Sequence, residues 1–277
     1  LLDRQFLQRD VRLIRRTRNL RLLPPASRRT GGKFSLAEWA HVIGIFQTLL
    51  HLHLENKESN QVLDVGCGTG LMGIAAEPFI GEGGSYTGLD VIESQIEFCR
   101  QHYPSPPFAF IHHEVLNPAY ARRHEAGHLP WPLADRQFDL VTALSVWTHL
   151  NESDAAFYLN EVVRVLKPGG KVMLTCFLLD KLYKETVGLR SSAAGRFHML
   201  PQDRWVFDQS AYGSNAWLHP AWAPSPEAAI GIEEEGLQRL TSGAGLGLVA
   251  SYPGNWKEIP GVFFQDVLLY SKDAASS

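Results

Sequence analysis

The sequence predicts an α/β fold: a doubly wound, seven-stranded, mostly parallel sheet with helices on both faces. Three observations carry this. Strand and helix signals alternate from residue 61 to 177, a glycine-rich loop joins the first of these strands to its helix, and an acid closes the next strand about 20 residues later.

The elements follow in order. Residues 1–29 hold nine arginines and two aspartates, in a chain whose formal net charge is −3. Phe6, Leu7, Val11, Leu13 and Ile14 fall at roughly helical spacing, and Pro24-Pro25 ends the segment. A basic amphipathic helix of this kind suits peripheral contact with an anionic lipid surface. Docking on its own domain with the arginines in water is the favoured reading, and membrane contact the alternative. Ser35-Leu-Ala-Glu38 is a capping-box pattern. It opens a helix toward Leu54 with Leu36, Trp39, Ala40, Ile43 and Phe46 on one face. Strands are expected at about 61–65, 85–90, 108–113, 138–143 and 171–177, with helices near 70–79, 92–102 and 152–166. Pro168-Gly-Gly170 reads as a turn before the fifth strand.

From Leu178 to about Ile230 the rhythm breaks. Tyr183, Phe197, Trp205, Phe207, Tyr212, Trp217 and Trp222 are spread among loop residues there. A long irregular insertion of this kind is usually a lid or cap, and its aromatics can also form a satellite core. A polar, acidic helix over roughly 231–241 follows. Gly245–Ser251 and Val262–Ser271 then complete the count of strands. The expected organisation is thus a basic N-terminal segment, 1–29, and one domain, 30–277, with a cap at about 178–230.

Composition narrows the class. A chain of 277 residues, 45% apolar, can bury a full core. A mildly acidic balance argues against a dedicated nucleic-acid binder. Cys67, Cys99 and Cys176 are far apart in the sequence and form no Cys-x-x-Cys pair, so free thiols are expected rather than a zinc site. The longest apolar run, Val42–Leu54, is broken by Gln47, Thr48, His51 and His53, and is no membrane span. The N-terminus, Leu-Leu-Asp-Arg, lacks an apolar signal core. A soluble cytoplasmic protein is expected, with a start that could lie upstream because the initiator Met is missing.

Residues 62–70, Val-Leu-Asp-Val-Gly-Cys-Gly-Thr-Gly, carry the chemistry. An apolar strand ends in Asp64, glycines follow at 66, 68 and 70, and a helix opens at Leu71. Glycines let the backbone turn sharply and approach a ligand, and the helix start adds a positive dipole end. The spacing is Gly-x-Gly-x-Gly rather than the Gly-x-Gly-x-x-Gly of a dehydrogenase. Asp90 lies where a nucleotide-binding fold places an acid for both ribose hydroxyls, and it disfavours a 2′-phosphate.

On these residues the chain resembles the class I S-adenosylmethionine-dependent methyltransferases, over about residues 30–271. The resemblance implies a Rossmann-like fold whose last strand, Val262–Ser271, runs antiparallel. It implies S-adenosylmethionine as cofactor, with Asp64, Gly66, Cys67, Gly68 and Gly70 at its methionine part and ribose. Asp90 would bind the ribose, and Val91 would border the adenine. His113-Glu114-Val115 matches the pair at the adenine amino group, although a Glu stands where the family often has Asp. Phe138–Trp147 matches the fourth strand and its exit, where the cofactor's far side meets substrate, with Ser145 among the cofactor-binding residues, and Leu166–Gly170 matches the turn before the fifth strand. Within the family, Ser145-Val-Trp-Thr-His-Leu150 with Gln265-Asp-Val-Leu-Leu269 is similar to a bacterial group of small-molecule or glycan methyltransferases, which implies an oxygen acceptor.

A hydroxyl acceptor gains from a general base. His149, just past the fourth strand, is the first candidate, and a helix-start His bonded to backbone is the alternative reading. Asn151 and Asp154 suit capping of the next helix. His112 and His113 end the third strand, one facing in and one out. His198 and His219 lie in the cap. No residue set has metal-ligand spacing, so metal-independent transfer is expected. The chain lacks the Asn/Asp-Pro-Pro-Tyr of amino-methylating DNA enzymes, the Pro-Cys of pyrimidine C5 enzymes and a phosphate-binding Gly-Lys-Ser/Thr loop. The reading is methyl transfer to a hydroxyl of a small molecule or glycan. Transfer to nitrogen or carbon, and a non-catalytic cofactor-binding regulatory module, are the alternatives. A dinucleotide oxidoreductase is disfavoured by the glycine spacing.

Overall fold

The computed structural model describes residues 18–29, 35–114 and 128–273. Most of the helix expected over residues 1–29 lies outside this set, as does Val115. The described part of that segment forms two short 3₁₀ turns, Arg18–Leu22 and Ala26–Arg28. The chain divides into two compact units after His113.

The first unit is a parallel three-stranded sheet in the order β3-β2-β1. Its strands are β1 (Gln61–Val65), β2 (Ser85–Asp90) and β3 (Phe108–His112). Three helices accompany it: α1 (Leu36–His53), α2 (Leu71–Ile80) and α3 (Glu93–His102). Helix α2 packs on β1 and β2, α3 on β2 and β3, and α1 on α2. The capping box forms as expected: Ser35 Oγ accepts the Glu38 N–H, and the Ser35 N–H returns to Glu38 Oε2 at 3.0 Å. Helix α1 buries Trp39, Val42, Ile43, Phe46, Leu49 and Leu50. Leu36, expected on that face, is exposed, since the first turn precedes the contact with α2. Residues 62–65 of β1 are all buried, as a parallel strand covered on both faces requires.

The second unit is built on β4 (Phe138–Ala143), α4 (Glu152–Val165) and β5 (Leu166–Leu179). Asn151 caps α4 by accepting the Asp154 N–H, while Asp154 itself is an acid of the first turn. Strands β4 and β5 run parallel. The Pro168-Gly-Gly170 turn is folded into β5, as an irregularity between the pairs Phe138↔Leu166 and Leu140↔Lys171. This makes β5 far longer than the expected 171–177, and it forks the sheet. Lys171–Cys176 pair antiparallel with β10 (Asp266–Lys272), which in turn pairs antiparallel with β9 (Leu246–Tyr252). Phe177–Leu179 pair parallel with β8 (Gly231–Glu233), followed by β7 (Trp217–His219) and β6 (Gln209–Ser210).

Seven strands, β1–β5, β9 and β10, match those expected, with β10 antiparallel. The cap region contributes the short additions β6 and β7, and β8 follows it directly. The helix expected over 231–241 begins only at Glu234 (α5, Glu234–Gly243), because Gly231-Ile-Glu233 completes the free edge of β5. Among the described residues no helix is long and apolar enough to cross a membrane.

Residues of the expected cap share a core with its flanks: Phe177, Leu179, Tyr183, Trp205, Phe207, Ala229 and Trp256. Beneath it Lys257, wholly buried, lies 2.8 Å from Asp180 Oδ2 and 2.6 Å from Asp266 Oδ1. Asp266 also accepts the Gly254 and Leu178 N–H groups and the Trp256 indole N–H, so its remaining lone pairs are used. Burial pushes its carboxyl pKa up, against the pull of Lys257. Removing the lysine would strand two carboxylates. Lys257→Met is therefore expected to destabilise the chain by roughly 3–5 kcal/mol in urea unfolding, and a loss below about 1 kcal/mol would show the triad to be dispensable.

Candidate functional site

In the first unit the expected cofactor residues converge at the C-terminal ends of β1 and β2. Gly66, Gly68 and Gly70 have φ of 67°, 55° and 90°, the left-handed region that glycine adopts without cost. The Gly66 and Cys67 N–H groups both reach the Leu89 carbonyl, which folds the loop over the end of β2. A Cβ on Gly70 would lie 2.4 Å from the Tyr103 hydroxyl oxygen. That hydroxyl donates to the Thr69 carbonyl at 2.8 Å and makes Tyr103 the floor of the loop. Cys67 and Cys99 are free and buried. Burial pushes both thiols up, Cys99 to about 12, so neither is a thiolate nucleophile.

The two acids differ in role. Asp64 is buried and accepts the Tyr86 hydroxyl at 2.6 Å, which ties the end of β1 to β2 from within. Asp90 Oδ2 accepts the Gly68 N–H at 2.7 Å, and Oδ1 accepts the Ile92 N–H at 2.9 Å. The Val91 N–H adds a third backbone contact, and of the roughly four acceptor sites of a carboxylate the Asp90 oxygens keep room for a further donor. Burial raises the Asp90 pKa, while those N–H groups and nearby His112 oppose the rise. The Val91 carbonyl accepts from His112 Nε2 at 3.2 Å, and the His113 N–H reaches the Asp90 carbonyl at 2.9 Å. His113 is buried and His112 half-buried, matching the expected alternation. Thr69, which the sequence did not single out, has a buried hydroxyl oxygen with no hydrogen-bond partner.

These residues fit a nucleoside cofactor with adjacent ribose hydroxyls. The paired acceptor oxygens of Asp90, the left-handed glycine loop and the orphaned Thr69 hydroxyl together form the donor and acceptor set that such a ligand needs.

In the second unit the exit of β4 is held by a ring of hydrogen bonds. The Ser145 N–H donates to Thr175 Oγ1 at 2.8 Å, the Thr175 hydroxyl to Gln265 Oε1 at 2.6 Å, and Gln265 Nε2 to Ser145 Oγ at 2.8 Å. Ser145 has φ of 59°, a strained setting for a non-glycine residue that costs on the order of 1–3 kcal/mol. Four residues on, His149 Nδ1 lies 2.7 Å from the Glu227 carbonyl oxygen. A carbonyl only accepts, so Nδ1 carries the proton and Nε2 is the basic nitrogen of the neutral ring. Burial lowers the His149 pKa, opposed by that same carbonyl. Glu227, also unforeseen, has a buried carboxylate; Oε1 accepts the Tyr212 hydroxyl at 2.6 Å and Oε2 has no partner. Glu114 is exposed just beyond β3. Of the cap histidines, His198 Nε2 lies 2.8 Å from Glu258 Oε1, which is outside the cap, and His219 Nδ1 contacts the Pro220 carbonyl. Among the described residues no group of three or more His, Cys, Asp or Glu could hold a metal.

Asp90→Ala is expected to weaken S-adenosylhomocysteine in calorimetry by at most about 1.5–3 kcal/mol per lost hydroxyl contact. In the wild type the ionised carboxylate is the better acceptor. Affinity should therefore be flat above the raised Asp90 pKa and fall as pH drops through it. Asp90→Asn should abolish this acid fall, and an unchanged profile would remove Asp90 from the site.

Comparison with known proteins agrees with this geometry. Residues 63–174 match the model of the methyltransferase domain. Two curated relatives are named demethylmenaquinone methyltransferases. That of Lysinibacillus sphaericus is 29% identical over 212 residues, 75% of this chain and 82% of the relative. That of Bacillus cereus is 28% identical over 191 residues, 68% and 73% respectively. Among solved structures, the PH0226 protein of Pyrococcus horikoshii superposes with a TM-score of 0.52 at 17% identity, covering 85% of this chain and 92% of its own. A Haloferax volcanii methyltransferase complex with its Trm112 activator gives 0.51 at 12%, covering 86% and 94%. The [4+2]-cyclase SpnF gives 0.52 at 16%, covering 89% and 85%. Such distant structures speak for the fold alone, and a cyclase among them shows that this fold is not tied to one reaction. With the methyltransferase-domain match laid over this sheet and this glycine loop, the chain has the Rossmann-like fold of the class I S-adenosylmethionine-dependent methyltransferases.

Proposed function

We propose that the protein transfers a methyl group to a hydroxyl-bearing small molecule, with His149 as proton acceptor. The observation that carries this is the His149 tautomer, with Nδ1 held by the Glu227 carbonyl and the ring kept neutral by burial. S-adenosylmethionine, when bound, supplies an electrophilic sulfonium methyl. Gly66, Cys67, Gly68, Gly70, Asp90 and Val91 hold the cofactor in this reading. Asp64 supports their loop through Tyr86, and Glu114 serves the adenine edge. The remaining work is to align the acceptor, exclude water and take up its proton, and base assistance is worth roughly 10²–10⁴-fold. A cytoplasmic setting belongs to the same reading, since the three cysteines are free thiols.

The names of the relatives favour a second form of the same chemistry. They act on demethylmenaquinone, a quinone, whose electron-poor ring becomes nucleophilic only in its hydroxyl-bearing, reduced form. Deprotonating an aromatic hydroxyl enriches both its oxygen and the neighbouring ring carbons, so one base serves transfer to either atom. The names also favour a small molecule over a glycan.

The test is transfer of labelled methyl to 1,4-dihydroxynaphthalene and, in parallel, to the small-molecule fraction of a host extract. Labelled product is expected from the wild type, and NMR of that product separates O- from C-methylation. His149→Ala should lose roughly 10²–10⁴-fold in turnover with S-adenosylhomocysteine affinity kept. Activity should fall as pH drops, when the imidazole protonates, with the acid limb below the ordinary His value of 6.5. Near-normal turnover by His149→Ala would remove the base and favour an amine or another acceptor that needs none.

A further inference from the structure

We infer that Gln265 is a positioning residue that aims the Ser145 hydroxyl proton outward, where it donates to an oxygen of the methyl acceptor. The inference rests on the reading above and assigns the acceptor a hydrogen-bond-accepting oxygen near the exit of β4.

Gln265 is 7% exposed and Thr175 wholly buried, whereas Ser145 is exposed. Thr175 Oγ1 already accepts the Ser145 N–H, so its own proton must go to another acceptor, and Gln265 Oε1 lies 2.6 Å away. That distance is typical of O–H···O and short for N–H···O. The amide is thereby fixed with Oε1 toward Thr175 and Nε2 toward Ser145. Nε2 has only protons to offer, so Ser145 Oγ is the acceptor of that 2.8 Å bond. The Ser145 proton therefore cannot point into the ring. Outside the ring the side-chain oxygen within reach is that of buried Thr148, Oγ1, at a long 3.4 Å, and the Thr148 proton is committed to the Ser145 carbonyl. A hydroxyl that accepts a buried amide N–H is polarised and becomes a better donor. The left-handed backbone at Ser145 holds it in this pose, strain of a kind that clusters at ligand contacts. The three residues come from the exit of β4, from β5 and from the turn before β10, so the ring forms only in the folded unit.

The decisive variant is Gln265→Glu, nearly isosteric. A carboxylate accepts from Thr175 as before but can only accept from Ser145, and so turns the Ser145 proton inward. Initial rates would be measured with 1,4-dihydroxynaphthalene and with the extract fraction, alongside S-adenosylhomocysteine affinity by calorimetry. The expected result is an acceptor KM raised by about tenfold or more, with S-adenosylhomocysteine affinity within about twofold of the wild type. Ser145→Ala, which keeps the Thr175–Gln265 bond, should raise acceptor KM to a similar degree and carries the test should Gln265→Glu fold poorly. Thr175→Val, which lets the amide turn over, should give an intermediate rise. An acceptor KM within about twofold of wild type in both Gln265→Glu and Ser145→Ala would overturn the inference. So would a fall in S-adenosylhomocysteine affinity matching the rise in KM, which would assign Ser145 to the cofactor. A wild type that methylates the extract fraction but not 1,4-dihydroxynaphthalene would reject the quinol acceptor alone, and the variants would then be read on the extract. A wild type that labels neither would reject the functional reading and the inference with it.

Discussion

The carboxylate of Asp90 is the tie on which the cofactor half of this protein depends. It accepts one N–H from the glycine loop and one from the chain leaving β2, and so locks two segments that local sequence would leave mobile. The tie is itself supported. Tyr86 joins Asp64 beneath the loop, and Tyr103 fills the space that a side chain at Gly70 would take. Burial makes the carboxylate costly to ionise, and the backbone N–H groups offset part of that cost. What is left is an anionic oxygen pair at the end of a parallel strand, where open α/β sheets take their ligands.

The second unit is organised around the length of β5. Because this strand outruns β10 by three residues, its upper end is free to recruit β8, and with it the cap strands β7 and β6. The transition is pinned by Asp266, which binds the Leu178 N–H at the fork and pairs with buried Lys257. The residue before it, Gln265, faces the other way and closes the ring with Thr175 and Ser145. One short stretch before β10 thus anchors both the cap and the exit of β4. The His149 ring takes its orientation from the cap as well, through the Glu227 carbonyl.

Features encoded within a few residues were legible in the sequence. The capping box at Ser35, the glycine loop, the acid ending β2 and the Asn151 cap each depend on local spacing alone. Features made by distant partners were not. Thr175 and Gln265 carry no pattern that points to Ser145, and Glu227 contributes to His149 through its backbone, which side-chain identity cannot reveal. Gly231-Ile-Glu233 was read as helix because the acids after it are helical, yet a vacant strand edge outweighs local propensity. Pro168-Gly-Gly170 read as a turn for the same local reason, and the ladder absorbed it as an irregularity. Thr69, inside the motif, could have been noticed, since a hydroxyl buried between loop glycines needs a partner.

The central claim is that the first unit binds S-adenosylmethionine through the Asp90-tied glycine loop. The most direct measurement is calorimetry of the unmodified chain with S-adenosylhomocysteine and, separately, with NAD. Binding of the first with no heat from the second is the result this account requires. Binding of NAD, or of neither ligand, would contradict it.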